Sequence, residues 1–250
     1  MGLEDFGGET ALWRFYTRKW GTALFEEGEI RLSRVSDLRK EDRRESRLPG
    51  LFTRALRRAL PPNAKEFLNY MTRVIEDQAF GVFASCWFLP GTAADEERMW
   101  NEYGGGREGG IKIISTLDRL IQSLPDDDRR TFGVGRIRYV LPNSSILETW
   151  NLNEYRSSPF LLKLKKHHQD RELRLYERHH VPPWEETKGN EHKICRRFRF
   201  GGGNLVDSVS ISPLCTNEVA ESIRADLLRL NVPSSLSQRS LITRTVLPDG

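Results

Sequence analysis

Short apolar segments alternate along the chain with segments of helical spacing, and this alternation predicts the order of elements. The strand-like segments are 12–17 (LWRFYT), 30–35, 81–89 (GVFASCWFL), 111–116, 134–140, 173–181, 194–200 and 206–211. The segments with helical spacing are 20–27, 65–78, 95–103, 117–124 and 218–230. Gly28 fits a helix end, because glycine tolerates the left-handed conformation found there. The pattern predicts an α/β (α+β) fold with a central mixed sheet flanked by helices.

One stretch departs from this pattern because charge dominates it. Charged residues crowd together from 37 to 58, and the stretch ends in the amphipathic segment LFTRALRRAL before two prolines. Since proline stops a helix, we expect a solvated loop followed by a short helix. We assign 39–64 as a charged loop and helix insertion within a single domain spanning 1–250, because the chain contains no internal repeat.

Composition narrows the class of protein. Apolar residues make up 38% of the 250 residues, and six Trp, twelve Phe and six Tyr supply the bulk of a packed core. The 39 Lys and Arg nearly balance the 35 Asp and Glu, so the net charge of +4 does not by itself indicate a nucleic-acid-binding protein. The three cysteines form no CxxC pair, and no apolar run approaches the roughly 20 residues that cross a bilayer. We therefore expect a cytoplasmic protein without membrane association.

Three features that could carry chemistry have simpler interpretations. The glycine-rich segment 104–110 stands between a helix and a strand, the reverse of a phosphate-binding turn, so it predicts a connecting turn. The histidine pairs at 167–168 and 179–180 each offer at most one ligand on an extended chain, so we expect no metal site. Cys86 lies in an apolar run with nothing adjacent to activate it, so we expect an inert, buried thiol.

A late segment carries three charged residues at strand spacing. In an extended chain Asp170, Glu172 and Arg174 share one face, while Leu173 and Leu175 share the other. Two carboxylates and a guanidinium on one face can hold a carboxylate ionised for catalysis. An exposed, salt-bridged strand face is the alternative that these residues alone favour.

The order of several segments along the chain points to a known family. The segments are LWRFYT, EGEIRLSRVSDL, Asp42 with Glu45, ASCWF, MWNEYGGGREGGIKI, LLKLKKHHQDRELRL and VDSVSISP. This succession resembles the bacterial family known as domain of unknown function 2971, to which a group of abortive-infection phage-resistance proteins is also similar. Its most specific positions are Trp100, Tyr103, Gly109 or Gly110, Lys163, Glu172 and Arg174. The resemblance implies a bacterial protein with a role in phage defence.

Two of the family's motifs are altered in this chain. The usual Asn-Asp-Pro-Phe-Glu appears at 41–45 as EDRRE, which keeps only the acidic spacing. The usual Glu-x-Glu-aromatic-Arg appears at 170–174 as DRELR, in which the first Glu is shortened to Asp and the aromatic residue is lost.

The layout is also similar to that of ADP-ribosyltransferase-like enzymes, in which a first strand binds NAD and a late strand supplies a glutamate. This likeness implies that Glu172 is catalytic, with Asp170 and Arg174 beside it. It implies that NAD, as substrate, is held by a set of polar and aromatic residues, namely Arg14, Tyr16, Ser33, Trp100, Tyr103 and Lys163. In that set the Arg14 guanidinium would bind the pyrophosphate, since arginine favours bidentate contacts with phosphate.

Two functions of different classes remain open from the sequence. One is an ADP-ribosyltransferase-like or NAD-cleaving enzyme with a protein or nucleic-acid acceptor. The other is a non-catalytic binding protein, either an antitoxin-like partner or a nucleic-acid-binding module that uses its Arg-rich segment, residues 39–58. The enzyme requires that Arg14, Ser33, Tyr103 and Glu172 line one cleft, whereas the binding module requires only a basic face.

Overall fold

The computed structural model describes residues 7–41, 61, 65–66, 69–70, 81–124, 132–140, 159–164, 171–178, 195–199, 205–232 and 237–239. Within these ranges the elements follow one another in this order: β1 (Ala11–Thr17), α1 (Arg18–Glu27), β2 (Glu29–Arg34), α2 (Val35–Glu41), β3 (Val82–Phe88), α3 (Ala93–Glu102), β4 (Gly110–Thr116), α4 (Leu117–Gln122), β5 (Phe132–Arg136), β6 (Arg138–Val140), β7 (Leu162–Leu164), β8 (Glu172–Arg178), β9 (Cys195–Arg199), β10 (Ser208–Ile211), α5 (Asn217–Arg229) and β11 (Ser237–Arg239). Most strand pairs are antiparallel, and β6–β7 and β10–β11 are parallel. The predicted α+β class is confirmed.

The chain folds into two compact units that interleave along the sequence. Unit I comprises the described residues within Arg31–Cys86 and Arg130–Arg197. Unit II comprises those within Glu4–Ile30, Trp87–Arg129 and Phe198–Gly250. Because the chain alternates between them, no single cut in the sequence would separate two consecutive domains.

Unit II is organised by an antiparallel ladder between β1 and β4. The ladder pairs Ala11 with Thr116 at one end and Thr17 with Gly110 at the other. Strand β10 pairs with the far edge of β4, and β11 then pairs with β10 in parallel. In β1 the two buried residues are Leu12 and Phe15, and because they stand three residues apart they lie on opposite faces of the strand. Phe15 on one face packs edge-on against Trp100, with 4.9 Å between ring centroids.

Helix α3 of unit II begins with a capping box. The Thr92 hydroxyl accepts a hydrogen bond from the Asp95 backbone N–H, and the Asp95 carboxylate accepts one from the Thr92 backbone N–H. Together these bonds satisfy two amide groups that have no partner within the helix. The helix then presents Met99 and Trp100 to the core beside Phe15 and Phe88.

Unit I is organised around β8. This strand pairs antiparallel with β5, from Phe132 opposite Glu177 to Arg136 opposite Leu173, and it also pairs with β3. Strand β3 pairs antiparallel with β2, which places Ser33 opposite Ala84. A short apolar core of four buried residues, Val35, Val82, Ala84 and Phe160, lies beside these strands.

Two parts of the sequence prediction are wrong or incomplete. Residues 35–41 form helix α2, where we expected a strand end and then a charged loop. The charges of this segment are typical of the solvated side of a helix, while Val35 at its start is fully buried. The three-residue strands β7 and β11 were not predicted, because they are too short to show a period. The rest of the 39–64 insertion lies almost wholly outside the described residues.

Two glycines with positive φ allow the packing of unit II to be tested. Gly109 has φ 82° and ψ 156°, a region that only glycine occupies readily, and a Cβ there would lie 2.7 Å from Val219 Cγ1 and 2.9 Å from Ile223 Cδ1. Gly28 has φ 62° at the end of α1, but a Cβ there would meet nothing within 4 Å. We expect Gly28→Ala to lower the free energy of unfolding by about 1 kcal/mol and Gly109→Ala by roughly 2–4 kcal/mol. Urea titration of both variants measures the difference, and equal losses would contradict the crowding assigned to Gly109.

Candidate functional site

Strand β8 places a carboxylate and a guanidinium side by side in the interior of unit I. Glu172 and Arg174 share one face of the strand, as predicted, and Arg174 Nε donates to Glu172 Oε1 at 2.6 Å. Leu173 and Leu175 occupy the other face, and all four side chains are fully buried. The pair is therefore not the exposed strand face that these residues alone favoured. Asp170 lies outside the described residues.

Lys163 supplies a second cation to the same carboxylate. Its Nζ lies 2.5 Å from Glu172 Oε2, so each carboxylate oxygen has its own positively charged partner. The Lys163 side chain is 10% exposed, whereas those of Glu172 and Arg174 are completely enclosed. Of the three charged residues, Lys163 is thus the one whose side chain is not completely enclosed.

Arg174 is also held by the main chain. Its Nη1 donates to the carbonyl oxygen of Phe160 at 2.5 Å, in the 3-10 turn Pro159–Leu161 that leads into β7. A buried guanidinium needs acceptors for several of its donors, and a carbonyl and a carboxylate together provide them. The turn therefore connects the position of Arg174 with the strand that carries Lys163.

The backbone of Glu172 is fixed by two further hydrogen bonds. Its carbonyl accepts from the Ile137 N–H at 2.9 Å, and its N–H donates to the Tyr139 hydroxyl at 3.0 Å. The preceding residue, Arg171, has φ 45°, which is unusual for a residue with a side chain. The chain thus enters β8 through a left-handed residue and is bonded on both sides of the peptide at Glu172.

The neighbours of Glu172 determine its charge. Burial alone raises the pKa of the Glu172 carboxyl, but the Arg174 guanidinium, the Lys163 ammonium and hydrogen bonds from Arg174 and Cys86 outweigh burial and lower this pKa to about 2. The carboxylate is therefore ionised at neutral pH. Because opposite charges within hydrogen-bond distance favour the charged form, the site contains a permanent carboxylate that is shielded from water.

Cys86 is the fifth member of this group, which we call the Glu172 cluster: Cys86, Tyr139, Lys163, Glu172 and Arg174. As a residue Cys86 is half-buried, yet burial of its thiol, together with the negative charge of Glu172, raises its pKa to about 12. It is therefore a neutral hydrogen-bond donor to the carboxylate, and the expectation of an unreactive thiol agrees with this setting. Both Cys86 and Cys215 are free thiols.

The two predicted NAD-binding residues of the first strand, Arg14 and Tyr16, lie in unit II. Arg14 and Tyr16 share a face of β1, with the Arg14 guanidinium 4.9 Å from the Tyr16 ring centroid and 5.7 Å from that of Trp87. A guanidinium beside aromatic faces is stabilised by their quadrupoles. These contacts give Arg14 a packing role within unit II.

Two aromatic residues of the predicted set belong to the core of unit II. Trp100 is completely buried, and its Nε1 donates to the Glu96 carboxylate at 3.2 Å. Tyr103 packs on Phe88 with 5.2 Å between ring centroids. These contacts give both residues a packing role that does not depend on a ligand.

Unit I brings together Lys163, Glu172 and Arg174 from the predicted set. It also contains Ser33, which lies exposed on β2 opposite Ala84. Sequence reasoning missed Tyr139 as a partner of Glu172, although the strand that carries it was predicted. Cys86 was considered only as a nucleophile. The apolar run of β3 predicts that Cys86 lies on a buried strand, but no local signal identifies the carboxylate that it meets.

Comparison with known proteins does not add a function. No protein-family model, curated protein or solved structure matches the chain. Among the described residues no group of three His, Cys, Asp or Glu side chains could hold a metal ion, and both histidine pairs lie outside them. In the same part of the chain, no helix has the length and apolar character needed to span a bilayer.

The Glu172 cluster makes a prediction about stability and pH. Glu172→Gln leaves Arg174 buried without a carboxylate, so we expect the free energy of unfolding at pH 7 to fall by roughly 3–5 kcal/mol. The folded pKa of about 2 lies below the ordinary value of 4.5, so the carboxylate stabilises the fold fully above pH 4.5. As the pH falls from 4.5 towards 2, that contribution is lost, and the gap between wild type and Glu172→Gln should narrow.

Urea titration at several pH values measures this gap. Glu96→Gln in unit II is a matched variant, because Glu96 Oε1 also pairs with a buried lysine, Lys112, at 2.6 Å. A gap for Glu172→Gln that stays constant down to pH 3 would contradict the ionised, buried pair.

Proposed function

We propose that the protein is an ADP-ribosyltransferase-like enzyme that cleaves NAD, with Glu172 as the carboxylate that faces the ribose. The observation that carries this proposal is a buried glutamate with a separate cation on each oxygen, Lys163 on one and Arg174 on the other. In the reaction the bond between the ribose C1′ and the nicotinamide nitrogen breaks, and its electron pair leaves with nicotinamide. A fixed negative charge stabilises the positive ribose that remains.

The cost of the cluster supports a functional role. Burying a carboxylate, a guanidinium and an ammonium removes three charges from water, and apolar residues of similar volume often serve stability as well or better. Strongly shifted groups of this kind are found most often at functional sites, although structural ion pairs shift pKa values too. The maintenance of an ionised glutamate is what a reaction with a cationic intermediate requires.

Lys163 is the member of the cluster that the substrate would meet first. Its side chain is 10% exposed, whereas those of Glu172 and Arg174 are completely enclosed. The pyrophosphate of NAD is anionic and competes with Glu172 Oε2 for the Lys163 ammonium. When Lys163 turns to the phosphate, Oε2 loses its partner and is free to face the ribose, while Arg174 still holds Oε1.

Once the positive ribose has formed, a nucleophile completes the reaction. Water or an acceptor attacks C1′ and loses a proton to the solvent, which gives either free ADP-ribose or a modified acceptor. The resemblance to abortive-infection proteins supports phage defence as the setting and a protein or nucleic acid as the acceptor.

The central test of the proposal is Glu172→Gln. The amide removes the negative charge that stabilises the transition state, so we expect nicotinamide release to fall about a hundredfold or more while NAD binding changes much less. Release is measured from NAD with and without cell extract, which supplies an acceptor. The assay temperature must be one at which circular dichroism shows the variant folded, because the substitution also disturbs Arg174.

Asp226→Asn is the control for loss of a paired carboxylate. Asp226 pairs with Arg18 at 2.6 Å in unit II and is no part of the Glu172 cluster, so this variant should cleave NAD like wild type. If the wild-type protein neither binds nor cleaves NAD, with cell extract or without it, the proposal is wrong.

The enclosure of Glu172 favours the second candidate, a non-catalytic binding protein. Both carboxylate oxygens are engaged and the residue has no exposed surface, so the cluster also serves as an internal support for β8. In this case an antitoxin-like partner or a nucleic acid would bind elsewhere, for example at the Arg-rich segment 39–58, of which 42–58 lie outside the described residues. Salt-dependent binding of nucleic acid together with calorimetry that shows no binding of NAD would favour this candidate.

A further inference from the structure

The paired strands β6 and β7 each contribute one side chain that contacts Glu172. Strands β6 and β7 pair in parallel with Tyr139 directly opposite Lys163, so both side chains leave the same face of this pair. The Tyr139 hydroxyl accepts the Glu172 N–H at 3.0 Å, and Lys163 Nζ contacts Glu172 Oε2 at 2.5 Å. The β6–β7 pair thus contacts the backbone of Glu172 through Tyr139 and its carboxylate through Lys163.

We infer that Tyr139 is a positioning residue for Glu172. Its hydroxyl fixes the backbone of Glu172, so that Oε2 stays in place when the anionic part of a substrate binds the Lys163 ammonium. The inference rests on the proposed function and deepens it, because it names the carboxylate oxygen that faces the ribose. It also divides the cluster into one residue that moves, Lys163, and the groups that do not.

The remaining contacts of Glu172 support this division. After Lys163 leaves, Arg174 still holds Oε1, the Ile137 N–H still holds the carbonyl, and Tyr139 still holds the N–H. Arg171 precedes these bonds with φ 45°, a conformation that residues with side chains adopt only where their surroundings impose it. Without the hydroxyl, the peptide between Arg171 and Glu172 would be free to relax, and the carboxylate would move with it.

The Tyr139 hydroxyl takes the place of a backbone acceptor for the Glu172 N–H. Residues that exchange bonds in an antiparallel pair usually exchange two, one in each direction. Ile137 donates to Glu172, but the Glu172 N–H turns to the Tyr139 side chain, at the point where the chain passes from β5 to β6. The side chain of Tyr139 therefore links the backbone of the proposed catalytic strand to the strand pair that carries Lys163.

Tyr139→Phe tests the inference because it removes only the hydroxyl. The matched control is Tyr176→Phe, on β8 of the same unit, where the tyrosine packs against Phe160 and its hydroxyl forms no hydrogen bond within the described part of the chain. Each variant is combined with Lys163→Met in a double-mutant cycle of unfolding at neutral pH. We expect Tyr139→Phe and Lys163→Met to be coupled by about tenfold in the folding equilibrium constant, and Tyr176→Phe to add independently.

A second measurement needs only the single variants. In wild type the Glu172 carboxyl should titrate near its lowered pKa of about 2, observed by NMR of the labelled carboxyl carbon. Tyr139→Phe should move this midpoint upward, because the carboxylate retreats from its cations, and Tyr176→Phe should leave it unchanged. Additive losses of stability together with an unshifted midpoint would overturn the positioning role, since a merely structural hydroxyl affects stability alone.

Kinetics connect the inference to the reaction. With NAD as substrate, Tyr139→Phe should lower kcat about tenfold with KM nearly unchanged, whereas Lys163→Met should raise KM. A raised KM with unchanged kcat for Tyr139→Phe would overturn the role assigned to it. If wild type does not cleave NAD, the proposed function fails, and the cycle and the titration still decide whether Tyr139 positions Glu172.

Discussion

The pairing of Glu172 with Arg174 is the constraint on which unit I depends. Two opposite charges stand two residues apart on a strand that is buried on both faces, and neither charge is tolerable there without the other. The demands of the pair extend beyond the strand. Arg174 also requires the Phe160 carbonyl, and the second carboxylate oxygen requires Lys163. The turn before β7 and β7 itself thus supply the partners that these buried groups need.

Unit II also contains a buried ion pair between a lysine and a glutamate. Lys112, buried on β4, pairs with Glu96 of α3 at 2.6 Å and lies over the ring of Trp13 at 4.2 Å. Glu96 in turn accepts from the indole of Trp100, so one carboxylate serves a cation and a core aromatic residue. The two carboxylates differ in exposure. The Glu96 side chain is 15% exposed, whereas Glu172, which pairs with both Lys163 and Arg174, is completely enclosed.

The sequence predicts the local part of this structure and not the contacts between distant segments. Leucines at 173 and 175 predict the strand and place Glu172 and Arg174 on one face, because a strand has a period of two. Their burial could not be predicted, since it depends on how β3 and β5 pair with β8. Lys163 was expected from a resemblance alone. Tyr139 and Cys86 meet Glu172 from 33 and 86 residues away along the chain, and no period or motif connects such positions.

The charge states of the cluster limit the chemistry that it could perform. A carboxyl with a pKa of about 2 has no proton to give at neutral pH, and it is too weak a base to take one from a substrate. Cys86, with a pKa of about 12, is equally unable to act as a thiolate. Proton transfer and thiol attack are thus poor uses of this site. A permanent negative charge on a fixed oxygen remains, and its effect is greatest on a positive charge that forms next to it in a place from which water is excluded.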